Sequence, residues 1–269
     1  IQRNRQDIYA LASFSIIGVS VMLAEQSAQS AGRANALEDI AEAGEKALKA
    51  FAVQDPECLL LYRGEMAKET KEEMAGRLRE KGLVSRALSF VTIAKELEAM
   101  LREGKIEELA ERHMQGNITT VWNNGTPTTI TLTPFISLTS NPKIALMASL
   151  SSLEIRKGLE IGMYTEEDGT PSNQFYGKMA ELIDKEGYAP VVYVVKAQKS
   201  QVLDLQQAKG LEPDKLGERI IRNGRNSYGE EEYIALHISP GEIIGLLVLI
   251  GNPFKGDNWF WQVLRNSEK

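Results

Sequence analysis

The sequence contains very few of the residues that build disulfides and metal centres. Its 269 residues include one cysteine, Cys58, and two histidines, His113 and His237. A single cysteine excludes an internal disulfide framework and a cysteine-clustered metal site. Two histidines argue against a histidine-rich metal site, and we interpret both as structural or surface residues. The sequence therefore predicts a function that uses no metal.

The sequence also lacks an excess of positive charge and the glycine-rich loops of common nucleotide-binding folds. Its formal net charge is −6. Because phosphate neutralisation needs a basic face, we expect no nucleic-acid partner, although a small basic cleft around a dinucleotide stays compatible with this charge. Neither a G-x-G-x-x-G pattern nor a P-loop occurs, which argues against a Rossmann site and against a P-loop site.

One apolar stretch, residues 8–24, carries no charge and follows Arg3 and Arg5. Its length lies at the short end of the range of about 17–25 residues that a membrane-spanning helix needs. A buried helix, a signal-peptide core and a membrane contact all fit this stretch. We favour the buried helix because three serines and Gly18 interrupt the apolar run.

The order of the predicted elements indicates an α+β fold. Apolar residues at helical spacing predict helices over 34–51 and 93–114, with a short buried strand over 58–62. A run dense in Glu, Lys and Arg predicts a solvated helix over 66–81. The second half is richer in β-branched residues and predicts a hairpin over 118–132, a strand over 135–138 and helices over 142–157 and 172–185. Further strands are predicted over 190–196, 202–205, 232–238 and 242–250. Helices first and clustered strands later favour α+β over a wound parallel sheet.

Three short fragments carry residues that are able to do chemistry. They are Leu61-Tyr62-Arg63-Gly64, Phe135-Ile136-Ser137-Leu138-Thr139-Ser140 and Glu230-Glu231-Glu232-Tyr233. Each fragment alone has an ordinary interpretation. Arginine at a strand end is usually a surface residue, Ser-x-Thr before Asn-Pro is usually turn and cap chemistry, and a glutamate run is usually solvated.

Taken in this order, the three fragments resemble the R-S-E class of bacterial ADP-ribosyltransferases. That class has an arginine ending its first strand, a Phe-x-Ser-x-Ser/Thr strand and a Glu-x-Glu that opens a later strand. Leu138 departs from the pattern, because the family often has threonine there. The resemblance spans about residues 56–249 and implies an ADP-ribosyltransferase-like mixed β-core. We therefore predict a helical N-terminal segment, 1–55, and a catalytic domain, 56–269, within a chain whose N-terminal half is substantially helical.

The resemblance implies NAD as a co-substrate and assigns a role to each motif residue. Cleaving nicotinamide from its ribose passes through an oxocarbenium-like transition state, as in glycoside cleavage. Glu232 would hydrogen-bond the ribose and stabilise that charge, and Ser137 would hold the Glu232 side chain. Glu230 would orient or deprotonate the acceptor. On the NAD side, Arg63 offers a planar fork for the diphosphate, and Gly64, Ser137 and Thr139 complete the expected binding residues.

The loop 222–229 precedes the glutamates and contains Tyr228, which the resemblance makes the substrate-recognition residue. The implied protein is a secreted bacterial toxin or effector that acts in the host cytosol on a host protein. Its acceptor residue is arginine or threonine, and ubiquitin is among the proteins that one such group modifies. Two alternatives stay open: an NAD glycohydrolase toxin that uses water as acceptor, and a non-catalytic interaction protein with a transferase-like fold.

Overall fold

The computed structural model describes residues 14–15, 36–68, 71–114, 118–123, 126–150, 172–205, 231–255 and 258–266. These residues form a mixed α+β structure, which confirms the predicted class. The six helices, in chain order, are α1 (Ala36–Leu48), α2 (Lys71–Lys81), α3 (Val91–Arg102), α4 (Ile106–Met114), α5 (Pro142–Ser149) and α6 (Asn173–Asp184).

The twelve strands of the described residues are likewise numbered in chain order. They are β1 (Phe14–Ser15), β2 (Cys58–Ala67), β3 (Leu83–Val84), β4 (Ile118–Asn123), β5 (Thr126–Thr131), β6 (Ile136–Thr139), β7 (Ala189–Gln198), β8 (Leu203–Asp204), β9 (Glu232–Ala235), β10 (His237–Ile238), β11 (Ile243–Ile250) and β12 (Phe260–Asn266). Eight of them make one sheet in the order β1-β12-β11-β7-β2-β6-β9-β8. Each neighbouring pair in that sheet is antiparallel.

The centre of the sheet is covered on both faces, which explains its composition. Strand β7 reads Ala-Pro-Val-Val-Tyr-Val-Val-Lys-Ala-Gln, and seven of these ten residues are buried. A continuous apolar run of this kind is expected where helices cover both faces of a strand. Strand β2 pairs with β7 along its whole length, from Cys58 opposite Gln198 to Ala67 opposite Ala189.

Helices α1, α5 and α6 cover one face of the sheet. Their buried side chains Ile40, Leu146 and Met179 lie in one cluster with Val192 and Val194 of β7. The indole nitrogen of Trp261 donates a 2.9 Å hydrogen bond to the carbonyl oxygen of Ile40, which ties α1 to the last strand. Helix α1 belongs to the predicted segment 1–55, whose division from 56–269 stays a prediction.

Two further clusters complete the core. Met74 and Leu78 of α2 pack on the opposite face, against Leu61 of β2 and Tyr193 of β7. At the β8 end of the sheet, α3 and α4 pack against β5, β8 and β9. This third cluster includes Leu97, Leu109, Ile130, Phe135 and Ile234.

Several element predictions are confirmed. The hairpin is present as β4 and β5, with Asn123 opposite Thr126. The side chain of Asn141 caps α5 by accepting from the Lys143 nitrogen, and Pro142 is the first helical residue, as the Asn-Pro signal predicts. The C-terminal end of this helix differs from the prediction. The helix was predicted over 142–157 and ends at Ser149. Residues 151–157 lie outside the described residues.

Other element predictions are wrong, each for a local reason. The helix predicted over 66–81 begins at Lys71, because Met66 and Ala67 continue β2 and pair with β7. The helix predicted over 93–114 is two helices, since Gly104 adopts a left-handed φ of 72° between them. Residues 260–266 form β12, a strand that the sequence did not predict.

The helix predicted over 8–24 is wrong at residues 14–15, which form β1 and pair with Arg265 and Asn266. The rest of that stretch lies outside the described residues. Within the parts of the chain that the structure describes, no helix has the length and apolar character needed to cross a bilayer.

Gly64 gives a direct test of the packing between β2 and α5. A Cβ atom at Gly64 would lie 1.8 Å from the carbonyl oxygen of Ala145, whereas a Cβ at Gly76 in α2 would meet nothing within 4 Å. Gly64→Ala should therefore lower the free energy of unfolding by about 1–3 kcal/mol, the usual cost of overpacking. Gly76→Ala, the matched control, should raise it by up to about 1 kcal/mol. Urea unfolding measures both, and equal midpoints for the two variants would contradict this packing.

Candidate functional site

The ladder between β2 and β6 in the main sheet is short, and we call the place where it stops the opening. The described residues of the two strands pair at one position, Tyr62 opposite Thr139. Continuing the antiparallel register would place Gly64 opposite Ser137, but the pairing stops before that point. The backbone carbonyl of Ser137 therefore needs a hydrogen-bond donor other than β2.

Arg63 supplies that donor across the opening. Its Nη1 atom donates a 3.0 Å hydrogen bond to the carbonyl oxygen of Ser137. Its Nε atom lies 3.6 Å from Oε2 of Glu65 in an ion pair, and both side chains are partly exposed. The hydroxyl of Tyr193, on the neighbouring strand β7, donates to Oε1 of Glu65. The guanidinium is thus oriented by a backbone carbonyl and by a carboxylate that is itself held.

Gly64 lies directly after Arg63 and packs against a helix. A Cβ atom at this position would clash with the backbone of Ala145 and Ser149 in α5. This close approach gives a packing reason for glycine at position 64. Its predicted part in binding NAD stays a prediction.

The second and third motifs lie side by side on β6 and β9. Ser137 pairs with Ile234, and Thr139 pairs with Glu232. Residues two apart on a strand share a face, and directly paired residues on neighbouring strands are close. Ser137, Thr139 and Glu232 are therefore neighbours on one face of the sheet.

His113 joins Ser137 to Glu232. Its Nε2 atom lies 2.8 Å from the hydroxyl oxygen of Ser137 and 3.3 Å from Oε1 of Glu232. Its Nδ1 atom lies 2.8 Å from the hydroxyl oxygen of Thr133. The side chains of His113 and Glu232 are 8% and 13% exposed, so these contacts form in a largely dry environment. The edge of the Phe135 ring packs against the imidazole, with centroids 6.0 Å apart.

His113 was not predicted as a site residue. Its partners Ser137 and Glu232 are 24 and 119 positions away along the chain, so spacing gives no signal. One signal was available. His113 follows the fully buried Leu109 and Ala110 by four and three positions, and it therefore lies on the inward face of α4. His237 matches the surface interpretation: it is exposed and bonds to the carbonyl oxygen of Lys81.

The turn between β6 and α5 uses Thr139 and Ser140. The Thr139 hydroxyl accepts a 3.0 Å hydrogen bond from the Asn141 nitrogen and lies in a buried side chain. Ser140 makes two bonds to Glu231, one from its nitrogen to the carbonyl oxygen and one of 2.6 Å from its hydroxyl to Oε2. Glu231 has a φ of 48°, in the left-handed region that glycine favours. These bonds hold the turn that places Glu232 at the start of β9.

Neighbouring groups affect the electrostatics of this turn. Burial raises the pKa of Tyr233, and the nearby carboxylate of Asp204 raises it further. Burial also raises the pKa of Tyr62, the residue that pairs with Thr139. Both phenols are therefore neutral near pH 7.

Ser137 links the predicted residues: its carbonyl oxygen accepts from Arg63, and His113 contacts both its hydroxyl and Glu232. Gly64 lies on β2 with Arg63, and Thr139 lies on β6 with Ser137. Two other predicted site residues, Glu230 and Tyr228, lie outside the described residues. Chemically, the arrangement offers a guanidinium that is able to bind an anion and a shielded carboxylate that is able to stabilise a cation. Among the residues of the described ranges, no group of three or more His, Cys, Asp and Glu side chains is arranged to hold a metal ion.

The sequence matches no protein-family model and no curated protein.

The left-handed conformation of Glu231 predicts an unusual order of stabilities. Glu231→Gly and Glu231→Ala both lose the side-chain bond from the Ser140 hydroxyl. Glycine alone relieves the strain of a positive φ. Glu231→Gly should therefore be the more stable variant, by on the order of 1 kcal/mol. At Glu98, an exposed position in helix α3, the alanine variant should instead be the more stable one, also by about 1 kcal/mol. Urea unfolding of the four variants checks this, and alanine being the better residue at both positions would show that Glu231 is not left-handed.

Proposed function

We propose that the chain is an NAD-dependent mono-ADP-ribosyltransferase, which moves ADP-ribose from NAD to a side chain of a host protein. One observation carries the proposal. Arg63, Ser137 and Glu232, from three fragments with the order and residue types of the R-S-E class, are linked through Ser137. Arg63 bonds the Ser137 carbonyl oxygen, and His113 contacts both the Ser137 hydroxyl and Glu232. If the three fragments had only their ordinary structural roles, nothing would require them to lie next to one another.

The finer fold assignment, an ADP-ribosyltransferase-like β-core, is part of the same proposal. Its support is the position of the motifs in the sheet. Strands β2, β6 and β9 are consecutive in the strand order, and each carries one motif. A surface arginine, a capping serine and a solvated glutamate run would have no reason to occupy three neighbouring strands.

Arg63 fits the diphosphate of NAD. Among the described residues, Nη1 is bonded to Ser137 and Nε faces Glu65, so Nη2 remains for phosphate oxygens. The side chain is 30% exposed, so it is accessible to a ligand. Because Glu65 and the Ser137 carbonyl already fix the guanidinium plane, little rotamer entropy remains to be lost on binding.

Glu232 fits the nicotinamide ribose. NAD supplies a positively charged leaving group, and loss of nicotinamide leaves cationic character on the ribose. A carboxylate fixed beside that carbon stabilises the developing charge, and the effect is large where water is excluded. Glu232 is 13% exposed and its Oε1 atom lies near the His113 ring. The carboxylate is therefore both shielded and oriented before substrate arrives.

A serine nucleophile activated by histidine is a rival interpretation, because Ser137 lies 2.8 Å from His113. In Ser-His-acid catalysis the orienting carboxylate binds the ring nitrogen opposite the serine. Here the opposite nitrogen, Nδ1, faces the hydroxyl of Thr133, and Glu232 lies on the same side as Ser137. This geometry favours a role for the histidine in holding Ser137 and Glu232.

The remaining parts of the proposal depend on the resemblance alone. These are the secreted toxin or effector role in the host cytosol and the acceptor residue, arginine or threonine, with ubiquitin among the acceptors considered. The roles of Glu230 in activating the acceptor and of Tyr228 in recognising it also stay predictions.

Glu232→Gln tests the proposed function. Replacing the carboxylate by an amide of the same size removes the charge, and transfer and NAD hydrolysis should both fall by on the order of 10²- to 10³-fold. Glu231→Gln is the matched control from the same glutamate run. It should keep most of the rate, because the glutamine oxygen still accepts from Ser140. Mass spectrometry of a host-cell lysate incubated with NAD measures transfer, and chromatography of the nucleotides measures hydrolysis.

Three outcomes would contradict the proposal in different ways. A Glu232→Gln protein that keeps more than half of the wild-type rate would remove Glu232 from the mechanism. Free ADP-ribose without any modified protein would favour the NAD glycohydrolase. NAD left intact by the wild-type chain would favour a non-catalytic interaction protein.

A further inference from the structure

We propose that His113 is a positioning residue for Glu232, with its ring neutral and protonated on Nε2, and that the buried hydroxyl of Thr133 selects this tautomer. The consequence for catalysis rests on the proposed function. The tautomer and the contact with Glu232 do not depend on it.

The position of His113 is fixed by the packing of α4. Leu109 and Ala110 are fully buried in the third core cluster, and His113 follows on the same face of the helix. The ring of Phe135 packs edge-on against the imidazole. The imidazole is therefore placed by apolar contacts that are independent of its nitrogen atoms.

Hydrogen-bond accounting assigns the proton on the ring. Thr133 is fully buried, and its carbonyl oxygen already accepts a 2.5 Å bond from the Ser85 hydroxyl. Its own hydroxyl proton needs an acceptor, since a buried unsatisfied donor is costly. Among the described residues, the partner within reach of that hydroxyl is Nδ1 of His113, at 2.8 Å. If Nδ1 accepts, the neutral ring carries its proton on Nε2.

The Nε2 proton then faces two acceptors, the Ser137 hydroxyl oxygen at 2.8 Å and Oε1 of Glu232 at 3.3 Å. Because Thr133 and Phe135 hold the ring, its Nε2 atom is a fixed donor for both Ser137 and Glu232. The Ser137 hydroxyl, in accepting from Nε2, keeps its own proton available to donate. The Thr133–His113–Glu232 series thus restrains a carboxylate that must have one orientation when substrate binds.

The presence of two histidines makes the tautomer directly measurable. The full chain labelled with ¹⁵N-histidine gives two sets of ring-nitrogen NMR signals, and His237→Gln removes the set that does not belong to His113. We expect His113 to show a protonated Nε2 and an unprotonated Nδ1. In Thr133→Val, which keeps the shape and removes the hydroxyl, the two nitrogens should lose this fixed assignment. Thr133→Ser should restore it.

The catalytic consequence needs a separate readout. His113→Phe keeps a ring without nitrogens, and His113→Gln keeps an amide donor near the Nε2 position. For NAD cleavage, kcat should fall by roughly 10- to 100-fold in His113→Phe with KM for NAD little changed, since misplacing a reacting group costs factors of this size. The kcat of His113→Gln should be close to that of the wild type. The kcat of Thr133→Val should lie between those of His113→Phe and the wild type. A residue that only fills space would not be rescued by glutamine.

The two proposals fail in distinguishable ways. A proton on Nδ1 of His113, or ring signals that Thr133→Val leaves unchanged, would overturn the inference even if the chain cleaves NAD. Equal kcat for His113→Phe and wild type would also overturn it. If the tautomer is as expected and Thr133 controls it, while the wild-type chain leaves NAD intact, the contact stands and the proposed function falls.

Discussion

The single residue pair that joins β2 to β6 is the constraint on which the candidate site depends. Pairing at Tyr62 and Thr139 holds the two strands together, and the end of that pairing leaves the Ser137 carbonyl for Arg63. Packing of α5 on Gly64 keeps β2 in place at this position. If the strands had paired along their full length, the ladder would have used that carbonyl, and no opening would separate the guanidinium from the carboxylate.

Placing polar groups at this opening is costly, and the surrounding structure offsets the cost with specific partners. Arg63 has Glu65 and a backbone carbonyl, and Glu232 has a neighbouring ring nitrogen. Buried charges persist only with such partners, because transfer from water costs several kcal/mol per ion. The helices of the third core cluster therefore do more than cover the sheet, since α4 supplies the ring beside Glu232. Function and packing depend on the same contacts here.

Local signals predicted much of the fold, and non-local contacts explain what they missed. The apolar runs of β7 and β11 and the Asn-Gly hairpin are readable from sequence because burial and turn geometry act over a few residues. Gly104 divides the helix predicted over 93–114, although its neighbours have helical spacing. Strand β12 was not predicted from the sequence. Five residues of the candidate site were predicted, namely Arg63, Gly64, Ser137, Thr139 and Glu232. His113 was not, since its contacts exist only where α4 meets β6 and β9.

A crystal structure of the chain with a non-hydrolysable NAD analogue tests the central claim most directly. We expect the analogue to bind at the opening between β2 and β6. Its diphosphate should contact the guanidinium of Arg63, and its nicotinamide ribose should lie beside the carboxylate of Glu232. Planar guanidinium groups bind phosphate oxygens with defined geometry, so this contact is recognisable in electron density. Density for the analogue elsewhere on the chain, or an opening that stays empty at saturating analogue, would contradict the account.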